Sequence, residues 1–466
     1  MSIKPMNIVY IHSHDTGRYV SPYGHAIDKP NIQNLAQEGV LFRKAFTANP
    51  TCSPSRACLL TGQWAHNNGM VGLAHRGSRL KDYSQHLGHV LRENGYTTAL
   101  AGVQHVASDY EDGKGARDLL PYDHFLSLEM EVPSIKHQDS ANAHRAVKFI
   151  KQEHDEPFFL SVGFHQTHRN GADGYDYQWH NNGESPLGDP RYVMPPAPLP
   201  DTPETRQDFA DFKVAAQRLD VCMGAVFQAV KDAGIEDETL IICTTDHGIA
   251  YPHMKCSLTD HGIGVMLIIK GPHGFSGGKV CDAMVSQIDL FPTICELIGI
   301  TAPDYLQGRS IMPLIRREAE EINEAVYATV NYHAAYEPKR AIRTTRYKYI
   351  RRYAPADHPL LPNCDDSISK LLLHDDHDWN DRGQLEEYLY DLIYDPHEAA
   401  NVASDPAYTD VLDHMRDKLK QWQEKSSDPL LEHGFVEAWP HSVTTIRTEY
   451  SPGKKGIVPC EPGKVI

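Results

Sequence analysis

The stretch Thr239-Leu240-Ile241-Ile242-Cys243-Thr244-Thr245-Asp246-His247-Gly248 starts as an unbroken apolar run and ends in a carboxylate, an imidazole and a glycine. An apolar run without alternation suits a strand covered on both faces of a parallel sheet. Its polar end then falls beyond the carboxyl edge of the sheet, where open α/β sheets collect ligands. Three more segments repeat the arrangement. Asn7-Ile8-Val9-Tyr10-Ile11 runs into His12-Ser13-His14-Asp15, Thr97-Thr98-Ala99-Leu100-Ala101 into Gly102-Val103-Gln104-His105, and Phe158-Phe159-Leu160-Ser161-Val162-Gly163-Phe164 into His165. Val265-Met266-Leu267-Ile268-Ile269 reads as a fifth strand. One strand-end aspartate is an ordinary cap or turn residue. Four such ends predict a single crevice holding Asp15, His105, His165, Asp246 and His247.

Helical patterns fill the intervals: 31–38 stopped by Gly39, 84–94 stopped by Gly95, 140–153, 206–233 followed by Gly234, and a helix opening at Asp289-Leu290-Phe291-Pro292. This alternation predicts a doubly wound α/β domain. After about residue 320 the pattern changes to short polar strands at 325–331, 340–343 and 347–353 and a closing helix at 408–425. The expected organisation is a catalytic α/β domain over 1–322 and a smaller α+β subdomain with an extended tail over 323–466. His374-Asp375-Asp376-His377-Asp378 has no period and no strand behind it and reads as a solvated loop, not a metal cluster.

With 466 residues, 41% hydrophobic and 23% charged, the chain can bury a large core and is expected to form two domains. A formal charge of −17 argues against a general binder of nucleic acid or anionic membrane. It also means that an anionic substrate needs a local positive site. The nine cysteines are scattered without a CxxC pair, as free thiols in a reducing compartment would be. No apolar run has the length of a membrane span. The first strand starts at Asn7, leaving no room for a signal peptide. The expected location is cytoplasmic, or periplasmic or secreted had a leader been removed.

Cys52-Ser53-Pro54-Ser55-Arg56, followed by Ala57-Cys58-Leu59-Leu60-Thr61-Gly62, adds the chemistry. Proline fits the first turn of a helix. Cys52 then lies at the helix N-terminus, where free N–H groups and the dipole favour an anion or an anionic nucleophile, and Arg56 can reach back one turn. The bland alternative is a buried cysteine near a helix start. The C-x-P-x-R pattern resembles the recognition sequence by which sulfatases have a cysteine oxidised to formylglycine. The chain as a whole resembles the sulfatases of the alkaline-phosphatase superfamily, closest to the heparan N-sulfatase (sulfamidase) branch and its bacterial relatives. The likeness also takes in Asn68-Gly69-Met70, Asp289-Leu290-Phe291-Pro292-Thr293, and Leu389-Tyr390-Asp391-Leu392 with Asp395-Pro396-His397-Glu398.

The resemblance implies an alkaline-phosphatase-like mixed, mostly parallel sheet flanked by helices, with a smaller C-terminal α+β domain. It implies a metal- and formylglycine-dependent sulfatase that cleaves an O- or N-sulfate from a sulfated carbohydrate, after maturation by a formylglycine-generating enzyme. Asp15, Asp246 and His247 would bind one divalent metal, with His14 and the modified Cys52 as further ligands. The hydrate at Cys52 would be the nucleophile, and Arg56 would hold and neutralise it. His105 would help to expel sulfate, Lys255 would meet the sulfate oxygens, and His165 or His168 would serve the ester oxygens or the leaving group.

Three departures stand out. His14-Asp15 replaces a pair of aspartates, Asp246-His247 replaces Asp-Asn, and Gly102-Val103-Gln104-His105 lacks the lysine of Gly-Lys-x-His. The resemblance implies Ca²⁺, but imidazoles in place of oxygen ligands lean toward Mn²⁺ or Zn²⁺. Phosphonate monoester hydrolases resemble the chain in having Asp-His at the fourth strand. Phosphodiester or phosphonate monoester hydrolysis is therefore the second reading. The third is a non-catalytic sulfate- or sugar-binding protein, should Cys52 remain a thiol. Self-association into a homo-oligomer stays open.

Overall fold

Strand β1 (Asn7–Ser13) is the middle of the molecule: all but its first residue are buried. Alternate side chains feed two separate cores, Ile8 and Tyr10 into one and Val9 and Ile11 into the other. Strand β6 (Thr239–Thr245) does the same with Leu240 and Ile242 against Ile241 and Cys243. That two-sided burial is why neither sequence alternates. The computed structural model describes residues 6–461 apart from 28–29, 109–112, 114, 133–134, 136, 170–187, 378 and 452–455.

The other strands of this sheet are β2 (Val40–Phe46), β3 (Thr97–Gly102), β4 (His124–Phe125), β5 (Phe158–Gly163), β7 (Leu267–Lys270) and β8 (Lys279–Ser286). Their order is β4-β3-β5-β1-β6-β7-β2-β8. The run from β4 to β6 is parallel throughout. Strand β7 is antiparallel to both its neighbours, and β2 pairs parallel with β8. The fifth apolar segment thus differs from the parallel strand expected of it. Between β6 and β7 the chain forms only a one-turn helix, Asp260–Ile263, too short for a crossover, so it returns beside β6 in the opposite direction.

Helix α1 (Pro30–Glu38) and the helices Gln138–Ile150 and Pro203–Asp232 cover one face, while α2 (Cys52–Thr61) and Leu290–Ile298 cover the other. These are the expected helices with ends moved by a few residues. The alkaline-phosphatase-like fold class is therefore borne out.

A second sheet, β12-β11-β10-β9, is antiparallel and consists of β9 (Ala325–Tyr332), β10 (Tyr336–Thr344), β11 (Tyr347–Arg352) and β12 (Glu387–Asp391). Leu412, Met415, Leu419 and Trp422 of the helix Thr409–Lys425 pack on Ile342, Tyr349 and Leu389. Val326, Ala328, Val330, Ala341 and Ile350 pack toward Phe46, Leu258, Ile263 and Met284 of the first sheet's domain. The 374–378 stretch corrects the loop expectation. Residues Ile368–Asp376 are helical, because Ser367 accepts the N–H of Lys370 as an N-cap, while Asp378 lies outside the described residues. In the tail, β13 (Val443–Thr445) and β14 (Ile457–Pro459) form a ribbon. All nine cysteines are free thiols. Among the described residues no helix is long and apolar enough to cross a membrane.

The tail is fixed to this sheet by a buried bidentate ion pair. Arg340 on β10 donates from Nε to Asp428 Oδ2 at 2.6 Å and from Nη2 to Asp428 Oδ1 at 2.8 Å. Removing one partner strands a charge in the interior. Asp428→Ala is expected to destabilise the protein by about 3–5 kcal/mol, read from urea unfolding. A loss below about 1 kcal/mol would show that the pair is not sealed from water.

Candidate active site

Parallel register brings two strand ends together. Ser13 pairs with Thr245, so Asp15 and Asp246 leave adjacent strands side by side. Asp246 Oδ1 accepts the backbone N–H of Asp15 at 2.8 Å and of His247 at 2.9 Å. Asp15 has φ of +53°, a left-handed conformation unusual for a residue with a side chain and frequent where function requires strain. Gly248 is demanded by crowding: a Cβ there would stand 1.9 Å from the carbonyl oxygen of His261. Helix α2 is sewn to the same turn by Ser55, whose Oγ donates to the Asp246 carbonyl at 2.5 Å. This directs the first residue of the helix, Cys52, at the carboxylates.

One ligand atom from each of His14, Asp15, Cys52, Asp246 and His247 lies within 4.8 Å of all the others, and all five residues are buried. The donor set fits a cation. His247 Nδ1 lies 2.9 Å from the carbonyl of Gly248, a bond that puts the proton on Nδ1. Its Nε2 has no hydrogen-bond partner and faces the carboxylates, 3.3 Å from Asp15 Oδ1 and 3.7 Å from Asp246 Oδ2. In the neutral imidazole with its proton on Nδ1, that Nε2 offers a lone pair to a cation seated between the two carboxylates. His14 Nδ1 lies 2.7 Å from Asp15 Oδ1 and 3.2 Å from Asp246 Oδ2. His14, Asp15, Asp246 and His247 would hold a divalent metal, with an oxygen or sulfur from position 52.

Cations surround this core. Arg56 Nη2 lies 3.0 Å from Asp246 Oδ2, and Nη1 contacts His12. Lys255 Nζ bridges Asp15 at 2.9 Å and Asp365 at 2.8 Å. Burial pushes the Asp15 carboxyl up, but Lys255, His168 and His247 outweigh it and hold it well below the usual range. For Asp246, burial is likewise outweighed by His247, His14 and Arg56. Burial lowers Lys255, yet Asp15 and Asp365 carry it well above its ordinary value. The thiol of Cys52 behaves contrary to the sequence expectation of a favoured anion. Burial pushes it far up, and the opposing pull of Lys255 is offset by Asp15, Asp246 and Asp365. The helix N-terminus is outweighed by desolvation and three carboxylates, so with no cation in the cluster unmodified Cys52 is a protonated thiol and a poor nucleophile.

The structure separates the two candidate histidines after β5. The His168 ring lies 4.4 Å from that of His14, and its Nε2 lies 3.5 Å from Lys255 Nζ. His165 is tied instead to Asp139, which accepts its backbone N–H at 2.9 Å and lies 3.4 Å from its Nδ1. His105, with φ of +55°, places Nδ1 3.2 Å from His14 Nε2 and so joins the cluster through His14. Burial, then Arg56 and His168, keep its imidazole neutral. In place of the missing lysine, Val103 is buried and Gln104 braces the turn, its Oε1 accepting the N–H groups of Val106 and Ala107.

Sequence reasoning missed Asp365 and His12. In Cys364-Asp365-Asp366-Ser367 an aspartate before a helix reads as a cap, and nothing local shows that it meets Lys255 from across the molecule. His12 looks like the end of a strand, whereas it stacks on Tyr10 at 4.7 Å and contacts Arg56.

Residues 6–300 match the sulfatase family, and residues 253–366 match the C-terminal domain of N-sulphoglucosamine sulphohydrolase. The chain is 31% identical to human N-sulphoglucosamine sulphohydrolase, over 91% of each protein. It is 25% identical to an ulvan-active sulfatase of Formosa agariphila, over 89% of this chain and 74% of that one. Among solved structures, a 2-O GAG sulfatase superposes with a TM-score of 0.68 at 21% identity, over 97% of this chain and 99% of the other. The chain belongs to the sulfatase family of hydrolases.

Proposed function

We propose that this sulfatase uses a divalent metal and a formylglycine made from Cys52 to release sulfate from an O- or N-sulfated carbohydrate. The observation that carries the reading is the place of Cys52 among two carboxylates and two imidazoles, one of them locked as the tautomer that ligates. Similarity to N-sulphoglucosamine sulphohydrolase and to sulfatases of polysaccharides supports the substrate class. A metal here supplies positive charge to the sulfate oxygens and acidifies a neighbouring hydroxyl. Two carboxylates with two imidazoles favour Mn²⁺ or Zn²⁺ over Ca²⁺.

The protein's own groups divide the work. Formylglycine at position 52, held by Arg56, would supply as its hydrate a hydroxyl that gives up its proton and bonds to sulfur as the bond from sulfur to the sugar oxygen or nitrogen breaks and the leaving atom takes a proton. The nearness of His168 to His14 and Lys255 supports it as the group that serves the leaving atom. Lys255 and Arg56 offset charge on the sulfate oxygens. The second hydroxyl of the hydrate would supply the release of sulfate, losing its proton as the carbon–oxygen bond to sulfate breaks and leaving the aldehyde to be hydrated by water. An unmodified thiol has no second hydroxyl and cannot complete the cycle.

Three outcomes are expected. After co-expression with a formylglycine-generating enzyme, intact-protein mass spectrometry shows thiol-to-aldehyde conversion at position 52; a thiol throughout points to the binding-protein reading. Asp246→Ala loses metal affinity by more than the about 10–100-fold that follows loss of an outer partner, measured by elemental analysis after dialysis; full occupancy would contradict the ligand set. His168→Asn lowers kcat/KM on an aryl sulfate about 100-fold and His165→Asn much less. In the same assays, an aryl phosphodiester turned over faster than the sulfate would give the phosphodiesterase reading precedence.

A further inference from the structure

Lys255 also lines a second cavity of about 520 Å³, open to solvent on one side, between the 253–261 loop and the C-terminal sheet. The size suits a small-molecule ligand. Four cations, Lys255, Lys339, Arg352 and Arg382, face two carboxylates, Glu337 and Glu398. Both carboxylates are already matched inside the protein. Glu337 pairs with Lys339 at 2.8 Å and Arg352 at 2.6 Å, and Glu398 with Lys348 at 3.0 Å. Lys255 is itself held by Asp15 and Asp365, and Lys339 and Arg352 share Glu337, so among the described residues Arg382 is the cation of this wall without a carboxylate partner. In a chain of charge −17 such a cation is a place for an anion.

A second observation points the same way. Arg352 is only 8% exposed, and its Nε has no hydrogen-bond partner although Nη2 is engaged by Glu337. A buried guanidinium with an unused donor is costly unless something accepts from it. Tyr388 and Trp379 add aromatic wall on which a sugar ring can rest, and Arg382 is exposed.

We infer that this cavity receives a second acidic substituent, a sulfate or carboxylate, of the same saccharide whose sulfate is cleaved beside Lys255. The inference rests on the sulfatase reading for the role of Lys255 and extends it to substrate choice: saccharides bearing more than one anionic group are preferred. Lys255 joins the two sites, with its ammonium on Asp15 and Asp365 and its residue forming part of the cavity wall.

The test compares converted wild type with Arg382→Ala on D-glucosamine 2-N,6-O-disulfate and on 4-nitrophenyl sulfate. The ratio of the two kcat/KM values is expected to fall about ten-fold in the variant, as for loss of one charge-assisted hydrogen bond. An unchanged ratio overturns the proposal. Calorimetric titration with inorganic sulfate is the control: Arg382→Ala weakening sulfate binding with the ratio unmoved would make the cavity a site for free sulfate and would likewise overturn it. Wild type that hydrolyses neither compound would sink the sulfatase reading alone. Titration of the disulfate then decides the cavity, with about ten-fold weaker binding to Arg382→Ala in favour and equal binding against.

Discussion

Two carboxylates buried side by side, on Asp15 and Asp246, are the constraint around which the rest is arranged. Bringing both out of water is tolerable only if positive charge and hydrogen-bond donors converge on them. The protein meets the demand from four directions: backbone N–H groups of the strand-end turns, Arg56 on α2, His14 on β1's extension and Lys255 from the loop after β6, while the unpartnered Nε2 of His247 leaves room for a cation beside them. The parallel register, the tight Gly248 turn and the anchoring of α2 through Ser55 serve to hold these groups in one place.

The same field decides what the residue at position 52 can be. Among carboxylates and out of water, a thiolate is suppressed, and proximity to a helix N-terminus does not rescue it. A hydrated aldehyde enters as a neutral group like the thiol but brings a second hydroxyl, which the thiol lacks. Asp365 extends the logic outward. By holding Lys255 from the C-terminal side, it makes that lysine a shared element of the carboxylate cluster and of the cavity beside it.

How much was legible depended on range. The apolar strands β1, β3, β5 and β6 announce themselves, because double-sided burial leaves a continuous apolar run. Strands β2 and β8 do not: β2 carries Arg43 and Lys44 at its exposed centre, and β8 starts in solvent at the sheet edge. The reversed direction of β7 was likewise hidden, since an apolar run has no polarity. His14, Asp15, Cys52, Asp246 and His247 were found because each lies at a strand end or helix start, whereas Asp365 resembled a cap and His165 could not be told from His168.

By itself the sequence determined the chemistry available: which side chains stand at the ends of which elements, and that a cysteine–proline–arginine helix start accompanies them. Only the tertiary structure decided which of these groups meet, that His168 and not His165 stands by Lys255, that burial pushes the Cys52 thiol up, and that Arg352 and Arg382 line a cavity next door. The reason is physical. Propensity and periodicity act over a few residues, while Coulomb fields and desolvation act across space and depend on every charge that folding brings near.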